Sequence, residues 1–507
     1  MIIDKNIIIV LPIVLPLLSA IIMILSGNKI VFHKIVNLIS TILQLVTGLL
    51  LLNIVTEQGI FSLTIGNWKA PFGISLVVDG LAAIMITMSA ILSLSAAIFS
   101  SNTIGWYRKR YYFYPLFQFL LLGVNGSFLT GDVFNLYVWF EVMLISSFVL
   151  LALGGRQEQL EGAMKYVTIN LISSTIFLSA AGITYGLAGT LNMADLSLKL
   201  PFIENQGLVN VLSVLFLISF GIKSAIFPLY FWLPASYHTP PVAVSALFAG
   251  LLTKVGVYVL FRFYTLIFVN NIDFTHNLIL ILSAFTMILG VFGAIAQNDF
   301  RRILSFHIIS QVGYMIFALG IYTKEAIAAG IYYIMYHMLV KTNLFYSSGI
   351  VYNIKGSYSL NELGGVYKNY PVVSIVFLIS ALALSGIPPL AGFWAKLTVA
   401  IAGFNDKEYF ITALSLLAGI LTLVSMTKIW NNVFWKDAPQ LDSLLECEKK
   451  FNEKSFNDKF QLYLPSGILL VVILFFSFFI QYVFYYADLA ALQLMDKELY
   501  INAVLGN

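Results

Sequence analysis

The run LVNVLSVLFLISFGIKSAIFPLYFWL, from Leu208 to Leu233, contains a single charged residue, Lys223, flanked by the helix breakers Gly221 and Pro228. About 20 apolar residues cross a bilayer, so the run is long enough to span one with the lysine near its middle. Proline removes a backbone donor and interrupts the helical ladder. Backbone groups freed in this way are tolerated at membrane depth only against protein or water. The stretch therefore predicts an interrupted transmembrane helix with a lysine buried beside the break. A second stretch repeats the pattern: Gly386-Ile-Pro-Pro389, then Gly392, stands just before Lys396.

Composition says the same of the whole chain. Its 507 residues are 60% hydrophobic and 10% charged, with a mean hydropathy of +0.90. A soluble domain carries about 25% charged residues, so lipid must be the solvent for most of this surface. That leaves no room for a large extramembrane catalytic domain. The formal charge of +4 gathers in no basic cluster on a soluble surface, which excludes a nucleic-acid partner. One cysteine, Cys447, excludes a disulfide framework and a thiolate metal cluster built by this chain alone. Met1 to Val10 lack the basic start and cleavage site of a signal peptide, so the first apolar run is expected to remain a span.

Apolar runs between charged or turn-rich breaks predict fourteen spans: 5–25, 31–55, 74–100, 111–130, 132–153, 161–189, 208–233, 240–268, 276–297, 301–322, 324–353, 370–403, 408–435 and 461–487. Residues 59–78 alternate apolar and polar around Gly66 and Asn67, the pattern of a short surface hairpin. The two interrupted spans, 7 and 12, lie five apart, as an internal five-helix repeat would place them, and in transporters such repeats set the ion site at the breaks. Spans 4–8 and 9–13 form the units, and an odd number of helices per unit inverts the second. The expected fold is an all-α polytopic membrane protein: an N-terminal part (1–110), a first repeat (111–268), a second repeat (276–435), a charged loop (436–459) and a C-terminal helix with its tail (460–507). Of the 28 Lys and Arg residues, fifteen fall in loops after odd-numbered spans and six in the tails and the other loops. The positive-inside bias puts the odd loops in the cytoplasm and both termini outside. The 436–459 loop reads as a solvated linker with a little amphipathic helix.

Seven basic residues remain inside the spans: Lys165, Lys223, Lys254, Arg262, Lys341, Lys396 and Lys428; Glu141, His307 and His337 join them. A charge at the bilayer centre costs at least about 2.5 to 3.5 kcal/mol even on the lenient scale, so such residues face protein or water and are functional candidates. Lys165 and Lys428 stand close enough to helix ends to snorkel, and Arg262 suits a structural pairing with a buried carbonyl or carboxylate. Glu141, Lys223 and Lys254 are mid-span. Desolvation disfavours an ammonium and a nearby carboxylate restores it, so a carboxylate moving beside a lysine swings its proton affinity. That is the requirement of a proton relay. His337 and Lys341, four apart on one helix face, are placed to pass a proton directly or through one water; His307 is the weaker candidate.

The segments Gly131-Asp-Val-Phe-Asn-Leu-Tyr-Val-Trp-Phe-Glu141, Phe220-Gly-Ile-Lys223, Pro228-Leu-Tyr-Phe-Trp-Leu-Pro234, Ser305-Phe-His-Ile-Ile-Ser-Gln-Val-Gly-Tyr314, His337-Met-Leu-Val-Lys341 and Ser385-Gly-Ile-Pro-Pro-Leu-Ala-Gly-Phe-Trp-Ala-Lys396 resemble the antiporter-like subunits shared by respiratory complex I, membrane-bound hydrogenases and Mrp-type Na+/H+ antiporters. Tyr230 to Ser245 and Leu251 to Tyr258 are similar to the D-type subunit of the Mrp group. The resemblance implies an essential carboxylate at Glu141, relay lysines at Lys223 and Lys254, the central pair His337 and Lys341, and a terminal relay at Lys396. It departs at Tyr333, where some members carry a second histidine. The implied activity is that of an ion-translocating, mainly proton-conducting subunit of a multisubunit Na+/H+ antiporter driven by the proton motive force. The implied partners are a larger A-type subunit and several small membrane subunits, in a bacterial or archaeal cell membrane, and no cofactor is implied. The metal question stays open, and so does a rival assignment as the proton-pumping subunit of a redox complex. A lipid transferase would want a carboxylate or histidine cluster at one interface, against which the isolated buried lysines argue.

Overall fold

The computed structural model describes residues 5–439 and 442–506; Met1–Asp4, ahead of the expected first span, and Gln440 and Leu441, within the expected charged loop, lie outside them. The chain begins with α1 (Lys5–Leu25) and α2 (Ile30–Gln58), followed by the antiparallel strands β1 (Phe61–Thr64) and β2 (Ser75–Val78), which form the expected hairpin, and by α3 (Gly80–Thr103). The first repeat unit corresponds to α4 (Phe113–Leu129), α5 (Val133–Ala152), α6 (Gln157–Ala188), α7 (Gln206–Ser224) and α8 (Val242–Arg262). The second corresponds to α9 (Ile272–Ala296), α10 (Phe300–Ile321), α11 (Lys324–Lys355), the pair α12 (Pro371–Ser385) and α13 (Ala391–Asn405), and α14 (Tyr409–Ile429). A short α15 (Asp442–Asn452) leads to α16 (Phe456–Phe478), α17 (Ile480–Met495) and α18 (Lys497–Leu505).

Among the described residues, eleven helices are long and apolar enough to cross a membrane, and α4 and α12 are shorter apolar helices. The one expected span outside these thirteen, the eleventh, is α11, whose tyrosines, histidine and lysines make it too polar for that group although nearly all of its residues are buried. It is the axis on which the rest packs. Such a helix survives in a bilayer because protein, not lipid, surrounds it.

The two units match in detail that their sequences do not advertise. Each second helix is N-capped by an aspartate: Asp132 accepts from the Asn135 amide at 2.8 Å, and Asp299 from the Arg302 amide at 2.9 Å. Each of these aspartates also forms an isolated antiparallel bridge to the segment after the third helix, Asp132 to Asn192 and Asp299 to Ser359. Both units end in a π-helical turn, Phe263–Ile267 and Trp430–Trp435. Five helices separate equivalent points, so the second unit is inverted relative to the first.

Two expectations needed correction. The C-terminal span does not run to 487: the helix breaks at Phe479 (φ −112°, ψ 41°) and resumes as α17, which packs with α18 beside the hairpin. Ser62 of β1 donates to the Ala503 carbonyl at 2.6 Å, and the Gly80 amide donates to Gln493 at 2.6 Å, so hairpin and C-terminus form one cap. The charged loop is more than a linker, since α15 clamps the end of α11 through a Lys355–Glu448 ion pair at 2.6 Å. Lys165, expected to reach out from near a helix end, is 54% exposed and pairs with Glu161 one turn away.

Candidate functional site

Lys223 lies one residue before the end of α7, where Ala225 turns into the left-handed region (φ 60°) and stops the helix. The Trp232 indole donates to the Ile222 carbonyl at 2.9 Å, beside the 3.1 Å bond that carbonyl already accepts from the Ala225 amide, and so ties the break to the segment that follows it. Lys223 is buried, with its ammonium 5.0 Å from the centre of the Phe140 ring. Glu141, next to Phe140 on α5, is its electrostatic partner. Among the described residues no carboxylate lies within 4.0 Å of the ammonium, and Glu141 Oε1 is buried without a hydrogen-bond partner. The two charges feel each other without being locked, which is the geometry of a tunable pair.

The helix carrying Lys254 is pressed against this break. A Cβ on Gly256 would meet Ser224 Oγ at 2.5 Å and the Ser224 nitrogen at 2.8 Å, so only glycine lets α8 approach so closely. Lys254 Nζ donates to the Ala249 carbonyl at 2.6 Å and to Thr253 Oγ1 at 3.2 Å. Among the described residues it forms no ion pair. Across from it on α11 stand Lys341 and His337, near enough for their charges to interact with that of Lys254. All three are fully buried. Of the two expected routes between His337 and Lys341, directly or through one water, the direct contact is missing: both imidazole nitrogens and the Lys341 ammonium have no hydrogen-bond partner. Buried polar groups in such positions are satisfied by internal water, and water between them is also what a proton needs to cross the gap.

His307 on α10 continues the line, with Nε2 hydrogen-bonded to Ser425 of α14 and Nδ1 without a partner. It interacts electrostatically with both Lys341 and Lys396. Lys396 stands on α13 and reaches back across the second break, donating to the Ser385 carbonyl at 3.0 Å. Gly386 makes that turn at φ 87°, a conformation open to glycine and costly for other residues. The Lys396 ammonium also lies 5.2 Å from the centre of the Tyr314 ring and opens into a cavity of about 270 Å³ between α13 and α14.

The sequence reading missed what fills the space between His337 and Lys396. Tyr333, at the position where some relatives carry a second histidine, donates to Gln311 Oε1 at 2.5 Å and stacks on Tyr314, ring centres 5.2 Å apart. Tyr336 packs edge-on against Tyr333. A tyrosine replacing a histidine, with a glutamine one helix away, was the available signal. Arg262 and Lys428 prove structural. Arg262 forms a buried ion pair with Asp79 at 2.6 Å, and Lys428 caps the end of α9 by donating to the Ile295 and Gln297 carbonyls at 2.9 and 2.7 Å. Among the described residues no cluster of three His, Cys, Asp or Glu side chains could hold a metal ion.

On the face where the positive loops gather, an open cavity of about 750 Å³ lies between the start of α6, the 225–241 loop and the start of α10. Glu158, Glu161, Asp299, Arg302 and His238 line it. Burial, reinforced by Arg302 and Arg301, pushes the His238 imidazole down to about 4, so it is neutral near pH 7. Mixed charge around a wide mouth suits the exchange of small hydrated cations with solvent.

Residues 130–422 match the family described as NADH:quinone oxidoreductase/Mrp antiporter, TM. The chain is 44% identical to the D-type Na(+)/H(+) antiporter subunit of Alkalihalophilus pseudofirmus over 99% of both chains, and 41% identical to that of Bacillus subtilis over 98% of this chain and 99% of the relative. In three dimensions it is similar to a chain of the Mrp complex from Dietzia sp. DQ12-45-1b (29% identity, TM-score 0.90, covering 99% of this chain and 100% of that one). It is also similar to a chain of a membrane-bound sulfane sulfur reductase, an archaeal respiratory membrane complex (26% identity, TM-score 0.87, 99% and 100% covered). A line of buried lysines and histidines strung between two broken helices, in a fold shared from end to end with these proteins, makes the chain a member of the family of membrane subunits common to NADH:quinone oxidoreductases and Mrp antiporters.

Proposed function

We propose that this chain is the ion-translocating subunit of a multisubunit Na+/H+ antiporter and that its own contribution is to conduct protons. The observation that carries the reading is the line itself: Glu141 with Lys223, then Lys254, Lys341, His337 and His307, then Lys396, each the electrostatic neighbour of the next group except across the short step from Lys223 to Lys254, where α7 and α8 touch at Ser224 and Gly256.

A proton entering near Glu141 is held on Lys223 when the carboxylate is close, and is released when it withdraws. Release beside Lys254 drives the next transfer, because two ammonium groups in a medium of low dielectric repel strongly. Lys341, His337 and His307 carry the charge on through water, and Lys396 delivers it at the second break. A buried lysine can work as a relay because desolvation and a like charge both favour the neutral amine, and a carboxylate favours the charged form. Na+ prefers hard oxygen ligands, and Glu141 is the one carboxylate on this line, so the sodium path lies mainly in other subunits. These include a larger A-type subunit and several small membrane subunits. The complex sits in a bacterial or archaeal cell membrane with both termini of this chain outside. The division into two repeat units, 111–268 and 276–435, places one broken helix in each. The likeness to a respiratory membrane complex supports a redox-driven pump as the second reading; the antiporter names of relatives above 40% identity favour the first.

The test is Na+-induced pH change in membrane vesicles. Glu141→Gln in an assembled complex abolishes the exchange on this reading, and wild-type exchange would remove Glu141 from the line.

A further inference from the structure

Three arginines from three separate segments converge on one cavity that the transport line does not use. Arg108 comes from the short helix Trp106–Arg110, Arg156 from the N-cap of α6, and Arg301 from the first turn of α10. The cavity holds about 190 Å³, room for roughly six waters at about 30 Å³ each. The ends of the two relay helices contribute to its wall, through Pro241 and Val242 at the start of α8 and Gly349 and Asn353 near the end of α11, as does the end of α3 through Phe99 and Thr103. Among the described residues no Asp or Glu lines it, and none of the three arginines forms an ion pair.

Two of the guanidinium groups are held in place. Arg301 donates Nη1 to the Pro240 carbonyl at 2.8 Å and stacks on Tyr358, 3.8 Å from the ring centre. Its Nε is buried without any acceptor. Arg108 donates Nε to the Leu153 carbonyl at 2.9 Å and lies against Gly154. Burial and the neighbouring Arg156 charge both disfavour its protonated state. A solvated positive loop explains Arg156, but not a buried guanidinium donor with no acceptor or three arginines gathered on a cavity whose wall carries no carboxylate, although Arg301 also borders the neighbouring cavity lined by Glu158, Glu161 and Asp299. An unsatisfied buried donor costs about 1 to 3 kcal/mol, more when charged. The group that would relieve all of this is a compact, multivalent oxyanion, because guanidinium forks match phosphate oxygens in pairs.

We propose that this cavity binds a phosphate group, as free inorganic phosphate or as the headgroup of an anionic phospholipid, and so ties the ends of α8 and α11 to the start of α10. The acyl chains of a lipid would stay outside the cavity, which is sized for the headgroup alone. A bound anion there bridges both repeat units at the ends of the helices that carry Lys254 and Lys341.

The experiment is a thermal-unfolding titration of the purified complex with sodium phosphate, or with dihexanoyl phosphatidylglycerol, against sodium chloride at equal ionic strength. The unfolding midpoint should rise with one or both probes. Half-saturation should weaken about fivefold or more in Arg301→Gln and Arg156→Gln, which removes one or two charge-assisted hydrogen bonds. A response to inorganic phosphate assigns the free anion, and a response to the lipid alone assigns the headgroup. If Arg301→Gln does not assemble, Arg156→Gln decides, because the Arg156 side chain makes no hydrogen bond or ion pair among the described residues. No rise above the chloride control, or an unchanged response in Arg156→Gln, would overturn the proposal.

Discussion

Gly256→Ala tests whether the spacing between the first break and the central relay matters. Ordinary van der Waals contact begins near 3.4 Å, and the new Cβ would sit 2.5 Å from Ser224 Oγ and 2.8 Å from the Ser224 nitrogen. The hydroxyl could rotate away at the loss of its 2.7 Å bond to the Phe220 carbonyl. The backbone nitrogen cannot, so α8 must retreat by about 0.6 Å to restore contact, and Lys254, half a turn away, moves with it. Overpacking of this kind costs about 1 to 3 kcal/mol, too little to prevent assembly of a chain this size. A misplacement approaching 1 Å can cost up to about a hundredfold in a step that depends on orientation. The expected outcome is a complex present at normal levels whose Na+-driven exchange rate falls about tenfold or more. Adding Ser224→Ala should recover only part of the loss, because the backbone clash remains. Full exchange in assembled Gly256→Ala would refute the idea that protons pass between Lys223 and Lys254 at this contact.

Asp79→Asn keeps the N-cap of α3 but leaves Arg262 buried without its carboxylate, and should cost the purified complex about 3 to 5 kcal/mol of stability, with the Asp79→Asn/Arg262→Met pair recovering most of it. Burial acts to raise the Glu448 carboxyl, but its bonds to Lys355, Asn369 and Tyr370 outweigh that and hold it below its ordinary value. A depressed carboxylate contributes stability above the unfolded range of about 4.3, and that contribution disappears as the pH falls through the folded value. The gap in unfolding midpoint between wild type and Glu448→Gln should therefore be present at pH 7 and close in strong acid; a gap that widens in acid would reverse the assignment. Lys165→Ala should leave exchange within about twofold of wild type, because that side chain is exposed and its pairing with Glu161 is a surface one.

Much of the site could be read directly because lipid makes charge expensive. In a chain with 10% charged residues, a glutamate or lysine deep inside an apolar run has few explanations, and Glu141, Lys223, Lys254, Lys341 and Lys396 stood out for that reason. Gly221, Pro228, Gly386 and Pro389 marked the breaks by their chemistry. Asp79 was missed because it sits at the start of a span, where an aspartate reads as a loop residue or a cap; its partner is 183 positions away on α8. Tyr314 and Gln311 were missed, and Tyr333 was noted only as a departure from the family pattern, because tyrosine counts as apolar in a hydropathy window and only packing of α10 on α11 shows which hydroxyl meets which amide. The break at Phe479 carries no glycine or proline. It follows from α17 turning to pack on α3 and α11, a tertiary cause that local sequence does not record. Lys428 was expected to reach the interface, and instead found the open carbonyls at the end of α9.

The central claim is that protons cross this chain along the lysine and histidine line. It is tested most directly by proton flux in proteoliposomes of the purified complex, driven by an imposed membrane potential in the absence of Na+. Lys254→Met keeps the volume of the buried side chain and removes its only titratable group. The account predicts that flux falls to the level of protein-free liposomes while the complex stays assembled, and wild-type flux in that variant would contradict it.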